Sequence, residues 1–278
     1  MPDLGLIALV VAFVAALFGI AASLLGGWKK RLALVVAGRN ALYVVSAFVL
    51  LASLALILSL ARRDYSLAYV ADHVSNAQPL FYNLSSFWGG QAGSLLFWAL
   101  ILSAYATAVT LSQWKRQPVL RPYVTAVLLG TLLFFLTVTL FVANPFTRVW
   151  LLADGSSTAA VFAPAGAVPA QITDGNGLNP LLQNYWMVIH PVMLYLGWVG
   201  MTVPFAFAVA ALITGELGND WIHTIRRWTL VPWMFLTAGV LMGSQWAYVE
   251  LGSWNARCRR WADSGRLRTD LRARRSGR

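Results

Sequence analysis

Long runs of apolar residues that carry no charge dominate the chain, and polar or turn-forming segments separate them. A helix that crosses the roughly 30 Å hydrocarbon core of a bilayer needs about 20 apolar residues, since each residue adds about 1.5 Å. Six windows have this length, and they are apolar on every face. The pattern predicts an all-α fold, a polytopic transmembrane helical bundle with six spans: Leu4–Leu25, Ala41–Leu60, Ser94–Leu111, Tyr123–Val142, Trp186–Ile213 and Trp228–Val249.

The basic residues between these windows predict the orientation. The loops after the first, third and fifth windows hold nine Lys and Arg residues, whereas the alternate loops hold three. Cytoplasmic loops carry the excess of basic residues. We therefore expect the N-terminus outside the cytoplasm, and the two long connections, about 61–93 and 143–185, on the outer face.

Composition supports a membrane protein and changes the meaning of the net charge. The chain is 59% hydrophobic and 11% charged, whereas about a quarter of the residues in a soluble domain are charged. The net charge of +11 is unevenly distributed along the chain, because residues 253–278 carry nine Arg against two Asp. Residues 1–252 carry 12 basic and 8 acidic groups. The basic balance therefore predicts no nucleic-acid partner, and the body of the chain is expected in a lipid bilayer.

His190 is the most informative of the three histidines. It follows the start of the fifth window, with Trp186 one helical turn before it and Leu194 one turn after it. An ionisable side chain at membrane depth is rare and usually functional. This face suits a flat apolar ligand with a metal centre, although a histidine bonded to a neighbouring helix would fit equally. The position of His73, in a connection, favours a solvated loop histidine.

Two further segments at the membrane boundary contain candidate site residues. Trp88, Gly89 and Gly90 begin a Gly-rich stretch, WGGQAGS, which ends at Ser94. Irregular backbone exposed to lipid is not tolerated, so this stretch should pack against protein or ligand. At the end of the sixth window, Glu250 is either a surface carboxylate or a partner for a cationic group. Turn-forming residues dominate 144–184, for which the sequence predicts no regular structure.

Four motifs in order resemble one family. WGGQAGS at 88–94, NPF at 144–146, LNPLLQN with VIHPVMLY at 178–195, and GSQWAYVELG at 243–252 are similar to the CcmF/NrfE/CcsA family of cytochrome c biogenesis membrane proteins, and to its CcmF branch in particular. The resemblance implies a haem lyase subunit that attaches haem to apocytochrome c on the outer face of the bacterial inner membrane. It implies His190 as an outer ligand of the haem iron.

The same resemblance implies the surroundings and the partners of that haem. Trp88, Gly89, Gly90, Trp186, Trp246 and Glu250 are the expected neighbours of the haem site. The haem is expected to be a transient substrate haem b. The expected partners are apocytochrome c, a haem chaperone and other cytochrome c maturation membrane proteins. The thiols would come from the apocytochrome, because residues 1–252 contain no cysteine.

The sequence departs from the family pattern after Gly252. The family's Trp-rich haem platform, its second outer histidine and its resident haem site have no counterpart here. We expect two parts: a CcmF-like N-terminal membrane domain over 1–252, and an Arg-rich tail over 253–278 that is frameshifted or disordered. Such an incomplete chain is expected to be inactive alone. A non-catalytic scaffold of the assembly complex and a small membrane transporter component are the alternatives.

Overall fold

Helices make up most of the structure, a computed structural model that describes residues 2–113, 117–216, 218 and 220–276. Side chains are described as far as residue 249, with those of residues 113 and 220 excepted. The helices are α1 (Pro2–Trp28), α2 (Leu32–Arg62), α3 (Ala68–His73), α4 (Leu80–Gly89), α5 (Gln91–Gln113), α6 (Arg121–Phe141), α7 (Tyr185–Gly200), α8 (Thr202–Thr214) and α9 (Asp220–Ser276).

Within the described residues, five helical segments are long and apolar enough to cross a membrane. They match the first five predicted windows, the fourth of which ends one residue past its segment, so the expectation of a helical membrane protein is confirmed at this level. The sixth window, Trp228–Val249, lies inside α9 and stays a prediction as a span. The segments are Pro2–Trp28, Leu32–Arg62, Gln91–Ser112, Arg121–Phe141 and Tyr185–Thr214.

The fifth segment, which the sequence predicts as one window with a hint of a broken helix near Pro204, consists of two helices. Helix α7 ends at Gly200, Met201 forms a turn, and α8 begins at Thr202. Pro204 lacks a backbone N–H, so it cannot donate to the carbonyl of Gly200 as an uninterrupted helix would require. A proline in the first turn of α8 is tolerated because no intrahelical acceptor is lost there.

The helices pack as a bundle around α5. Helix α1 lies against α2 and α6, while α5 contacts α2, α4, α6 and α7. Helix α9 packs mainly on α7 and less on α8. Fully buried aliphatic side chains on α1, α2, α5 and α6 form the core: Leu9, Leu42, Leu56, Leu96, Leu102, Leu128 and Leu132.

The connection 144–184 contains regular structure, so that prediction is wrong. Strands β1 (Arg148–Leu151), β2 (Ser157–Ala160) and β3 (Val168–Pro169) form an antiparallel sheet in the order β2-β1-β3, and Pro180–Leu182 is a short 3₁₀ helix. The register pairs Trp150 with Thr158 and Leu151 with Val168. These strands could not be predicted from the sequence because they are short and lie among glycine and proline residues.

Both long connections lie at the same end of the bundle and contact each other. We call them together, residues 64–90 and 144–184, the loop layer. The N–H of Ala68 donates to the carbonyl of Thr147 at 2.9 Å, and the N–H of Leu178 donates to the side chain of Gln78 at 2.8 Å. Arg148 pairs with Asp3 at 2.6 Å, which places the start of α1 at this end too.

Candidate functional site

His190 lies in the second turn of α7, where one hydrogen bond fixes its ring. Its Nδ1 atom is 2.9 Å from the carbonyl oxygen of Trp186. A carbonyl oxygen can only accept, so Nδ1 carries the proton of this bond. In the neutral ring, Nε2 then holds a free lone pair, the form of imidazole that binds metals. The local helix geometry therefore prepares His190 as a ligand through Nε2.

The indole of Trp246 on α9 lies against one face of this imidazole. The two rings stack with centroids 5.4 Å apart and planes inclined by 18°. Gly243, one turn before Trp246, leaves room for the imidazole, since a Cβ there would lie 3.3 Å from its Cδ2 atom. The Nε1 atom of Trp246 is buried and has no hydrogen-bond partner among the described residues. An unsatisfied buried donor beside a ligand-competent imidazole suits a polar group of a bound molecule.

Trp186 is placed by the cap at the start of α7. The side chain of Asn184 accepts a hydrogen bond from the Trp186 N–H at 2.9 Å, as is typical of an N-cap asparagine. The half-buried indole of Trp186 packs edge to face on Tyr185, with ring centroids 5.6 Å apart. Its carbonyl orients His190, so the cap, Trp186 and the imidazole form one connected arrangement.

Helix α7 presents two different surfaces. Leu194 and Gly197 continue the His190 surface toward α9, where Gly197 lies against Leu236. Tyr195 faces the other way and contacts Phe97 on α5, with centroids 6.0 Å apart. The structure thus separates the side of α7 that carries His190 from the side that packs into the bundle.

Trp88 lies on the bundle side of α7. Its Nε1–H donates to the carbonyl of Val188 at 3.1 Å, and its ring stacks on Phe97 at 5.5 Å. Phe97, Trp98, Tyr195 and Phe135 extend this aromatic cluster across α5, α6 and α7. Sequence reasoning did not single out Phe97 or Tyr195, although the high aromatic content could have indicated such a cluster.

The two glycines after Trp88 pack against protein. A Cβ on Gly89 would lie 2.9 Å from Leu178, and a Cβ on Gly90 would overlap the imidazole of His73. The Gly90 N–H also donates to the Tyr69 hydroxyl at 3.2 Å. Of the two alternatives, packing against protein or against ligand, the structure places both glycines against protein.

His73 is not the solvated loop histidine that its position in the sequence favours. It is half-buried at the end of α3, and its ring stacks on Tyr69 at 4.4 Å. Its Nδ1 donates to the Tyr69 carbonyl at 2.9 Å, the same arrangement as in His190. Burial raises the pKa of the Tyr69 hydroxyl above its ordinary value, so this group stays protonated and donates to the Ser86 carbonyl.

The described residues contain no group of three or more His, Cys, Asp or Glu side chains that could hold a bare metal ion. Iron that a porphyrin already holds needs fewer protein ligands, because the protein then supplies only the axial ligands. A single oriented imidazole is therefore compatible with haem iron.

Comparison with known proteins identifies the family. The family model described as "Cytochrome C assembly protein" matches residues 88–257, which include Trp88, His190 and Trp246. The chain belongs to the cytochrome c assembly protein family. This assignment agrees with the resemblance drawn from the sequence motifs.

Several members of this family are similar over most of the chain. CcmF of Pseudomonas aeruginosa is 38% identical over 252 residues, which cover 91% of this chain and 36% of that protein. CycK of Rhizobium meliloti is 36% identical over 90% of this chain and 34% of its own length. NrfE of Haemophilus influenzae is 34% identical over 91% of this chain and 37% of its own length. All three are described as cytochrome c-type biogenesis proteins.

A solved structure of the cytochrome c assembly family has the same fold. The structure described as "Cytochrome c Heme Lyase CcmF" matches with a TM-score of 0.71 and 29% sequence identity, over 89% of this chain and 36% of that one. The chain thus spans about a third of the length of the relatives it matches.

Of the predicted site residues, the structure brings His190, Trp186 and Trp246 together. Trp88 reaches the neighbouring turn of α7 from the opposite side, and Gly89 and Gly90 belong to the packing around His73 and Leu178. The side chain of Glu250 lies outside the described residues, as do the side chains of 253–278.

Proposed function

We propose that this chain is a haem-handling membrane subunit of a haem lyase in cytochrome c-type biogenesis, and that His190 is its outer ligand to the iron of the substrate haem. The observation that carries the proposal is the arrangement of His190. Its Nδ1–H is bonded to Trp186 and its ring is stacked on Trp246, within the segment that matches the family.

The chemistry of this arrangement suits a substrate haem b. The lone pair on Nε2 binds iron, while the bond at Nδ1 fixes the ring orientation and raises the basicity of the ligand. Trp186 and Trp246 supply aromatic surface for a flat apolar ring and limit the access of water. Glu250, Trp88, Gly89 and Gly90 are proposed as more distant surroundings of the haem.

The chain's part in the reaction is positioning. Attaching haem to apocytochrome c joins cysteine sulfur atoms to the haem vinyl groups, and the acceptor supplies those thiols. A ligand that holds the haem in one orientation converts the encounter of vinyl group and thiol into a near-unimolecular step. A haem chaperone and other cytochrome c maturation membrane proteins are the proposed partners for delivery and assembly.

The orientation of the chain is part of the proposal. We infer six spans, with Trp228–Val249 as the sixth, and an N-terminus outside the cytoplasm of the bacterial inner membrane. Two observations support it: the basic residues favour the loops opposite the loop layer, and the Arg148–Asp3 pair joins the start of α1 to that layer. The haem site would then face outward.

Haem titration of the purified full chain in detergent tests the proposal. We expect a Soret band that shifts as haem binds and whose axial-ligand signature disappears in His190→Ala. His223→Ala is the matched control, because His223 is exposed and lies at the start of α9. If His190→Ala and His223→Ala take up haem equally, His190 is not the ligand.

The same titration separates the alternative functions. An intact chain that takes up no haem would favour a non-catalytic scaffold, which would act by binding other assembly proteins. A transporter component would need charged groups at membrane depth. The segment Tyr185–Thr214 contains no Asp, Glu, Lys or Arg, although its break at Met201 is a feature that transporters share.

A further inference from the structure

Strand β2 has an open edge in the loop layer. The N–H and C=O of Val149 are bonded away from β2, to Ser66 and Ala170. Backbone groups alternate in direction along a strand, so Arg148 and Trp150 direct theirs toward β2. The bond from the Leu152 N–H to the Ser156 carbonyl, 2.8 Å long, confirms this alternation at the next position.

The register then shows which groups of β2 are free. Thr158 and Ala160 are paired with Trp150 and Arg148, so their N–H and C=O groups point into the sheet. Those of Ser157 and Ala159 point outward, and both residues are exposed. No hydrogen bond of either residue is found within the described part of the chain. A row of unpaired backbone groups is a template for one more strand.

A cleft of about 340 Å³ adjoins this edge. We call it the edge cleft. It is lined by Val149 and Ala159 of the sheet, by Ala71 and Asp72 of α3, and by Ile172, Asp174, Gly175 and Asn176. A strand added beside β2 would direct every second side chain to the face of the sheet that carries Ala159, and hence over the edge cleft.

The charge around the edge cleft is negative. Asp72 and Asp174 line it, and both are exposed. Hydrogen bonding, led by the N–H of Asn76, lowers the pKa of Asp174 and keeps this carboxylate ionised, and the charge of Arg63 lowers this pKa further. The connections 61–93 and 143–185 together hold four Asp against three Arg, of which Arg148 is paired with Asp3. The residues that line the edge cleft include Asp72 and Asp174 and no Lys or Arg.

We propose that the open edge of β2 binds an extended basic polypeptide as an added antiparallel or parallel strand, with a Lys or Arg side chain in the edge cleft. Main-chain hydrogen bonds would supply the affinity, and the cleft would supply the preference for positive charge. Identifying this polypeptide with the haem acceptor rests on the proposed function, whereas the binding mode itself does not.

A peptide of alternating Lys and Thr, labelled with a fluorophore, tests the inference by fluorescence anisotropy with the full chain in detergent. Ala159→Pro removes the outward N–H without touching the pairing to β1, a position where an edge strand tolerates proline. We expect about a tenfold loss of affinity, since one or two hydrogen bonds and the strand register are lost. Ala159→Val keeps the N–H and should bind as the unmodified chain does.

Charge and backbone are tested separately. Asp72→Asn should weaken binding about threefold, as for one exposed ion pair, and a Glu–Thr peptide should bind more weakly than Lys–Thr. A Lys–Thr peptide N-methylated at every residue should not bind the unmodified chain, because neither edge of the peptide then carries an N–H group. This result does not depend on how any variant folds.

Three results would overturn the inference: no binding of the Lys–Thr peptide, equal binding by Ala159→Pro and Ala159→Val, or equal binding of the N-methylated peptide. A dimer that Ala159→Pro dissociates, measured by mass photometry, would show a second copy on the edge instead. His190→Ala should leave peptide binding unchanged, so failure of haem binding and failure of the edge are distinguishable.

Discussion

The imidazole of His190 on α7 is stacked on the indole of Trp246 on α9, with ring centroids 5.4 Å apart. Two helices therefore share control of one side chain: α7 fixes the Nδ1 bond to the Trp186 carbonyl, and α9 fixes the plane of the ring. Any change that moves α9 relative to α7 should alter the direction of Nε2.

Removing the indole tests this control directly. Trp246→Ala leaves the Nδ1 bond but removes the surface on which the imidazole rests, so we expect haem affinity to fall about tenfold, in the range found for groups that orient metal ligands. Trp246→Phe keeps an aromatic face and should retain most of the affinity. Titration of the purified variants with haem, followed by absorbance, measures both. Equal affinities for Ala and Phe would show that the stack does not orient His190.

The packing of α7 on α9 should depend on Gly197. A Cβ at this position would lie 2.7 Å from the backbone nitrogen of Leu236 and 2.9 Å from the carbonyl of Pro232, so α9 must move away. We expect Gly197→Ala to destabilise the chain by about 1–3 kcal/mol, as overpacking does. The unfolding midpoint in detergent, followed by circular dichroism, measures this.

Gly130→Ala is the matched control for that experiment. Gly130 lies within α6, and a Cβ there would meet nothing within 4 Å. Replacing a helical glycine by alanine in open space should stabilise the helix by about 0.5–1 kcal/mol. If both variants shift the midpoint in the same direction and by the same amount, the contact at Gly197 does not limit the approach of α9.

The length of the apolar runs was sufficient for the five helical segments long enough to cross a membrane, but not for the loop layer. A span is encoded in its own residues, because every apolar side chain in Leu4–Leu25 favours the same environment. Strands β1 and β2 are four residues each, and the other edge of β1 is held by hydrogen bonds to Ser66 and Ala170, which are distant in the sequence. The break at Met201 was visible only as Pro204, whose effect depends on its position within the helix.

The candidate site was predictable in part for the same reason. His190 and Trp186 are one turn apart, so helical geometry alone places them together. Trp246 was named from its motif, but its stacking on His190 depends on how α9 packs. Tyr69 and His73 carried no local signal, since their role arises from the close approach of Gly90.

The contact between Gly90 and His73 predicts a coupled pair of substitutions. A Cβ on Gly90 would lie 2.9 Å from Cε1 and 3.0 Å from Cδ2 of the imidazole, which the Tyr69 carbonyl and ring hold in place. Gly90→Ala should cost about 1–3 kcal/mol of stability. In the double variant with His73→Ala the added methyl group has space. The loss of stability in the double variant should therefore be smaller than the sum of the two single losses by about 1 kcal/mol.

A double-mutant cycle of unfolding midpoints in detergent measures this coupling. Gly89→Ala is a useful companion, because its Cβ would contact Leu178 and not His73. Its cost should add to that of His73→Ala without coupling. Additive costs for Gly90→Ala and His73→Ala would mean that the imidazole moves aside freely.

The loop layer should loosen in acid because of Asp174. Its carboxylate accepts hydrogen bonds from the N–H groups of Asn76 at 2.7 Å and Gly175 at 2.8 Å, and from the Tyr65 hydroxyl at 3.3 Å. The bond from Asn76 is the largest cause that holds the pKa of Asp174 below its ordinary 3.8. The unfolded chain therefore binds the proton more readily than the folded chain does.

The sign of the pH dependence follows from this lowered pKa. The stabilisation is fully present above the ordinary pKa and is lost as the pH falls through the lower, folded value. We expect the amide groups of Asn76 and Gly175 to be less protected from hydrogen exchange at about pH 3 than at about pH 6, after correction for intrinsic rates. Asp174→Asn should be less protected already at the higher pH and should change little on acidification. Asp154→Asn alters another exposed carboxylate with a lowered pKa, bonded to Ser156, and should leave exchange at Asn76 unchanged. An acid response that persists in Asp174→Asn would assign the loosening to other groups.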